Sequence, residues 1–187
     1  MLIAVLGWGS LIWNPKQLEV SGPFNAGGPP LQIEFSRVSG NGRLTLVVDD
    51  QNGIVCPTFY AVSSFDDLGK ARENLRSREG MTHINGVGFI DLTTGDVSER
   101  AKERHPRAIP GIAEWGRGNG FDAIVWTALA SNFAEVTGRE FSMDEALAYL
   151  SALPSENFAL AAEYIRMAPP QVQTPLREAF AARWPQT

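Results

Sequence analysis

The sequence predicts an α+β fold, on three observations. Strand-like runs fill the first two thirds of the chain, helical runs gather late, and no βαβ rhythm repeats. Residues 2–6 (LIAVL) are the first strand. Residues 31–37 (LQIEFSR) and 43–49 (RLTLVVD) follow, split by the turn-rich SGNG at 39–42. Residues 54–62 (IVCPTFYAV) come after Asn52-Gly53, and Pro57 within them predicts an edge or an interrupted strand. Residues 86–91 (GVGFID) and 121–130 (FDAIVWTALA) complete the set. One helix is predicted over 66–79, with acids in its first turn where the dipole favours them. Ser142, followed three residues on by Glu145, opens a second as a capping box. Further helices start at Pro154-Ser155 and at Thr174-Pro175, a cap residue followed by proline at the first helical position. The stretch 101–120 is rich in Pro, Gly and charge and reads as a long surface loop.

Size and charge narrow the class. A chain of 187 residues can bury one ordinary core, so a single domain over 1–187 is expected, with 142–187 as a C-terminal helical extension. Those helices would cover the sheet or make a subunit contact, which leaves room for a homodimer. Lys and Arg number 16 against 21 Asp and Glu, a net charge of −5 with no basic stripe. Nucleic acid and anionic membrane are therefore not expected partners. No apolar run approaches a membrane span. Met1 leads into LIAVL without a basic region, so no secretory leader is expected. One cysteine, Cys56, excludes an internal disulfide and suits a reducing cytoplasm.

The first strand runs into Gly7-Trp8-Gly9-Ser10 and leaves through Leu11-Ile12-Trp13-Asn14-Pro15. Three familiar motifs fail here. There is no Lys for a P-loop, Ile12 stands where a dinucleotide fingerprint needs its third glycine, and Ser10 lacks the second glycine of a nucleophile elbow. What remains is a tight turn. It is either a plain connection or a nest of backbone N–H groups open to an anion or carbonyl oxygen.

GWGSLIWNP resembles the YGSL signature of the γ-glutamylcyclotransferase-like superfamily, in the extended form of its ChaC branch. LRSREG at 75–80 is similar to the family's segment carrying the catalytic carboxylate, which falls on Glu79. The likeness covers roughly the first 130 residues. It departs from the pattern at Trp8, where Tyr is usual, and over 101–120. The resemblance implies a small mixed β-barrel with peripheral helices. It places Gly7, Trp8, Gly9, Ser10 and Leu11 at the substrate and Glu79 as the catalytic group.

Helical geometry gives Glu79 an independent reading. At 100° per residue it lies about 40° from Leu75, between Leu68 and Arg72, at the end of an apolar stripe. Arg78, Glu73 and Asp67 fall on the flanks or back and read as solvated. The alternative is an exposed Arg76–Glu79 pair at i, i+3.

The implied reaction is cofactor-independent and of the lyase or acyl-transfer type. The α-amine of a γ-glutamyl peptide or amine attacks its own γ-carbonyl, releasing 5-oxoproline, and glutathione is a natural candidate substrate. It requires no metal, nucleotide or covalent nucleophile. Two alternatives stand beside it: a non-catalytic module binding a small acidic metabolite, and an amide-processing enzyme with another substrate. Arg37 is a further candidate for a substrate carboxylate. His83 and His105 show no ligand spacing with acids or Cys56, so no metal site is expected. Cys56 reads as inert core.

Overall fold

A computed structural model describes residues 1–185. Six strands form one mixed sheet in the order β3-β2-β4-β1-β6-β5. In chain order these are β1 (Ile3–Gly7), β2 (Asn25–Val38), β3 (Leu44–Val48), β4 (Ile54–Val62), β5 (Val87–Asp91) and β6 (Ala123–Thr127). β1 runs parallel to β6 and antiparallel to β4, while β2–β3 and β5–β6 are antiparallel pairs. Seven α-helices accompany them among the described residues: α1 (Leu68–Glu79), α2 (Glu99–Arg104), α3 (Ala108–Gly118), α4 (Phe133–Thr137), α5 (Met143–Ala152), α6 (Ser155–Met167) and α7 (Pro175–Arg183). The α+β class is thus observed. The sheet ends at β3 and β5 without closing. No helix among the described residues is long and apolar enough to cross a membrane.

Two expectations are corrected. The 101–120 stretch is not a loop, since it carries the end of α2 and all of α3. Pro110 sits in the first turn of α3, where no intrahelical donor is needed. Ala108, Ile112, Ala113 and Gly116 form the buried face of this helix. A Cβ on Gly116 would stand 2.5 Å from the Ile124 side chain, so this glycine permits close helix–sheet contact rather than breaking the helix. Pro57 does not put β4 at the edge of the sheet, because β4 lies between β2 and β1, but it does fall where the pairing with β1 is interrupted. The β1–β4 register ends at Gly7↔Phe59, so Pro57 falls beyond the last pair and owes β1 no hydrogen bond.

The chain divides into two compact units, 1–30 with 57–129 and 31–56 with 130–187. In the first, Ile3 and Val5 of β1, Val87 of β5, Ala123 and Val125 of β6, and Ala71 and Leu75 of α1 form the core. Leu11 and Leu18 join that cluster, which anchors the segment after β1 against α1.

The second unit contains β3 and α4–α7. Ser142 caps α5 by accepting from the Glu145 N–H, while the Glu145 carboxylate pairs with Arg139 instead of closing the box. Thr174 caps α7, with proline at its start as expected. The register of β2 against β3 shifts between Glu34 and Arg37, a bulge that leaves Ile33, Glu34, Phe35 and Ser36 all buried. It turns Glu34 toward the start of α7. There its carboxylate accepts from Thr174 Oγ1 at 2.5 Å and from the amides of Phe35 and Leu176 at 2.7 and 3.3 Å. Burial pushes the Glu34 carboxyl above its usual range, against the hydrogen bonds from Thr174, Phe35 and Leu176.

A raised folded-state pKa means that the folded protein holds a proton which the unfolded chain has lost. Glu34 therefore lowers stability as pH rises from the ordinary glutamate range through its own raised value. Glu34→Gln is expected to flatten this part of the pH–stability curve in urea titrations. Glu34→Ala, which removes the acceptor from three donors, is expected to cost about 2 kcal/mol.

Candidate active site

β1 is buried along its whole length and delivers Gly7 at its end. A Cβ on Gly7 would lie 2.9 Å from the Phe24 ring, so a larger residue there would have to displace that ring. Trp8 and Leu11 are buried, and between them the chain turns, with Ile12 N–H on Gly9 O and Asn14 N–H on Ser10 O. Among the described residues none accepts from the amides of Gly9, Ser10 or Leu11. These three donors remain open, as a nest requires.

α1 is stopped at a definite residue. Asp67 caps its start by accepting from the Lys70 N–H at 2.8 Å. The predicted first-turn acids thus precede the helix, and Asp67 acts as its cap. Gly80, with φ of 64°, ends the helix through bonds from Gly80 N–H to Ser77 O and from Met81 N–H to Arg76 O. The helix is therefore intact to Glu79. Arg76 is committed to Glu73 through Nε and Nη2, which removes the exposed Arg76–Glu79 pair as an alternative.

The stripe facing the core is rotated from the expected one. It runs through Ala71, Leu75 and Arg78. Ala71 and Arg78 are seven residues apart and so about 20° apart around the axis, which puts Arg78 on the inward line and Glu79 beside it. Arg78, expected to be solvated, is buried, with 4% of its side chain exposed against 21% for Glu79. Its guanidinium is the hub of the site. Nη1 donates to Glu79 Oε1 at 2.6 Å, and Nη2 donates to Ser10 Oγ at 3.2 Å and to Asn14 O at 2.5 Å. One side chain thus ties the Glu79 carboxylate to both ends of the turn after Gly9. Arg78 Nε is buried without a partner. The segment after the turn is also sewn to α1: Gln17 Nε2 donates to Ser77 O, and Asn74 bonds Gln17 O and the Glu19 N–H.

Glu79, Ser10 and the open amides are therefore brought together, whereas Gly7 and Trp8 support the turn from the core side. Arg37 belongs to the second unit, where its Nη1 donates to Ala130 O at 2.8 Å. His83 precedes the short 3₁₀ turn Ile84–Gly86 and is exposed. Cys56 is buried with its Sγ 3.7 Å from Gln173 O, and burial pushes the thiol up. Among the described residues no group of three His, Cys, Asp or Glu side chains could hold a metal ion.

Arg78 is the residue of this candidate site that residue-by-residue reading missed. The signal was present in the 71-75-78 spacing, where a charged residue continues an apolar line. The chain matches no family model, no curated protein and no solved structure. The likeness to γ-glutamylcyclotransferases therefore rests on its two short motifs.

Proposed function

We propose that this protein is a γ-glutamyl cyclotransferase, built on an open-sheet variant of that family's fold and acting on a γ-glutamyl peptide or amine. The observation that carries this reading is the Arg78 bridge, which sets a half-buried carboxylate beside a turn with three open amides. The neutral α-amine of the substrate forms a C–N bond to its own γ-carbonyl carbon. Glu79 accepts the proton lost by that nitrogen. The same proton then passes to the leaving nitrogen as the original amide bond breaks, giving 5-oxoproline and a free amine or amino acid. The amides of Gly9, Ser10 and Leu11 hold substrate oxygen, either a carboxylate or the developing oxyanion. Both reacting groups belong to one molecule, so the site mainly selects a folded conformer and moves one proton. Arg78 positions Glu79 and leaves its second oxygen available to substrate.

The test is a product assay. Glutathione and a panel of γ-glutamyl amino acids and amines are incubated with the protein, and 5-oxoproline is measured by mass spectrometry. Release from at least one substrate is expected, and the panel identifies the leaving group. Absence of product across the panel, from folded protein, would overturn the reading.

A further inference from the structure

The first unit holds a cleft of about 590 Å³ formed by α1, β5, α2 and the turn before α2. Neither Glu79 nor any residue of the 7–11 turn lines it. Its volume falls in the range of small-molecule sites.

The charges lining it are unequally committed. On α2, Lys102 Nζ lies 2.6 Å from Glu99 and Arg100 Nη1 lies 3.5 Å from Glu103, so each cation has its own carboxylate. Arg72 has none. Its guanidinium lies over the Phe89 ring at 4.4 Å. Its Nε is sealed from solvent without an acceptor, and among the described residues none accepts from either Nη. Burial pushes its basicity below the ordinary arginine value. A planar cation fixed by a ring beneath it, with unused donors along its edge, fits a carboxylate in bidentate fashion.

Asp96 lines the same cleft and supplies the opposite charge. Its backbone is engaged, N–H to Thr94 Oγ1 and O from Asp91 N–H, but among the described residues its carboxylate has no partner. The cleft thus offers one uncommitted cation and one uncommitted anion that do not pair with each other.

We propose that this cleft binds a zwitterionic amino acid or short peptide, its carboxylate on Arg72 and its ammonium on Asp96. The assignment stands whether or not Glu79 is a catalytic base. A partner of the opposite polarity at each end satisfies both groups, whereas a simple anion would leave Asp96 repelling it.

The experiment is an NMR titration of the full chain with glycine, diglycine and triglycine, which separate the two charges by increasing lengths. Each peptide is also used N-acetylated and as its C-terminal amide. Saturable shifts centred on Phe89 are expected for at least one free zwitterion, with binding at least tenfold weaker for its amide. Arg72→Gln is expected to weaken that zwitterion at least tenfold. Arg72→Lys, which keeps the charge and loses the planar fork, falls between. Asp96→Asn is expected to weaken the zwitterion while leaving the N-acetylated form as in the wild type. Glu79→Gln binds as the wild type does, which separates this site from the cyclotransferase reading. Absence of saturable binding by every zwitterion would overturn the proposal, as would equal affinity for acid and amide. The acid–amide comparison uses the wild type alone and holds even where an Arg72 variant does not fold.

Discussion

Arg78→Met is expected to destabilise the protein by about 3 kcal/mol, measured as a shift in urea denaturation, and to remove 5-oxoproline release with it. The figure lies at the low end for breaking a buried ion pair, because Glu79 keeps a fifth of its side chain in solvent. The loss has two parts. Glu79 loses its charged partner, and Ser10 Oγ and Asn14 O lose the donor that holds them to α1. Methionine matches the apolar stem of arginine to about the position of Nε and ends there, so the loss reports the guanidinium rather than the stem. Arg78→Lys can serve one acceptor well but not three, and is expected to recover part of the stability with little of the activity. A Met variant as stable and active as the wild type would mean that the bridge holds nothing in place.

The second large effect is acid sensitivity centred on His105. This residue is fully buried, its Nδ1 accepts from Trp126 Nε1 at 3.1 Å, and its Nε2 lies 3.2 Å from Leu129 O. That pattern fixes the neutral tautomer with hydrogen on Nε2. Burial pushes its pKa down to about 4, aided by the charge of Arg104 and opposed by the Leu129 carbonyl. With a depressed folded-state value, the unfolded chain takes up a proton first as pH falls. The contribution of His105 is complete above about pH 6.5 and is lost between there and about 4. The loss amounts to about 3 kcal/mol at 1.36 kcal/mol per pKa unit. Glu34 acts in the opposite sense above the ordinary glutamate range, so single-residue variants are needed to separate them. His105→Gln is expected to reduce the fall in stability from pH 6.5 to 4, measured by urea titration at each pH. An unchanged slope would place the titrating group elsewhere.

The parts of this protein that follow local rules were legible in its sequence. β4 spans the expected residues 54–62, and the caps at Ser142 and Thr174 start helices where they stand. The turn after β1 was legible because glycine and serine interrupt an apolar run. What escaped was set by tertiary contacts. α3 carries a proline and three glycines, and its Gly116 makes sense only against the Ile124 and Leu92 side chains. Pro57 is tolerated inside the sheet because the neighbouring strand ends first. Glu34 looks like an ordinary alternating charge until the bulge in β2 turns it inward. The 3.6-residue periodicity puts Glu79 at the end of the inward stripe of α1, whereas the structure puts it beside the stripe, with Arg78 taking the buried position. That small rotation changes the chemistry, because the carboxylate meets the turn through a guanidinium rather than through an apolar wall.

In the proposed reaction Glu79 moves the proton. The most direct test of this step compares Glu79→Gln with the wild type in steady-state release of 5-oxoproline from the best γ-glutamyl substrate. The substituted amide keeps the shape of the carboxylate and can still accept from Arg78, so KM is expected to stay within a few-fold. The value of kcat is expected to fall by about 10²–10⁴, the usual worth of a positioned acid–base group. Equal turnover by the variant would contradict the account and assign the proton transfer to another group.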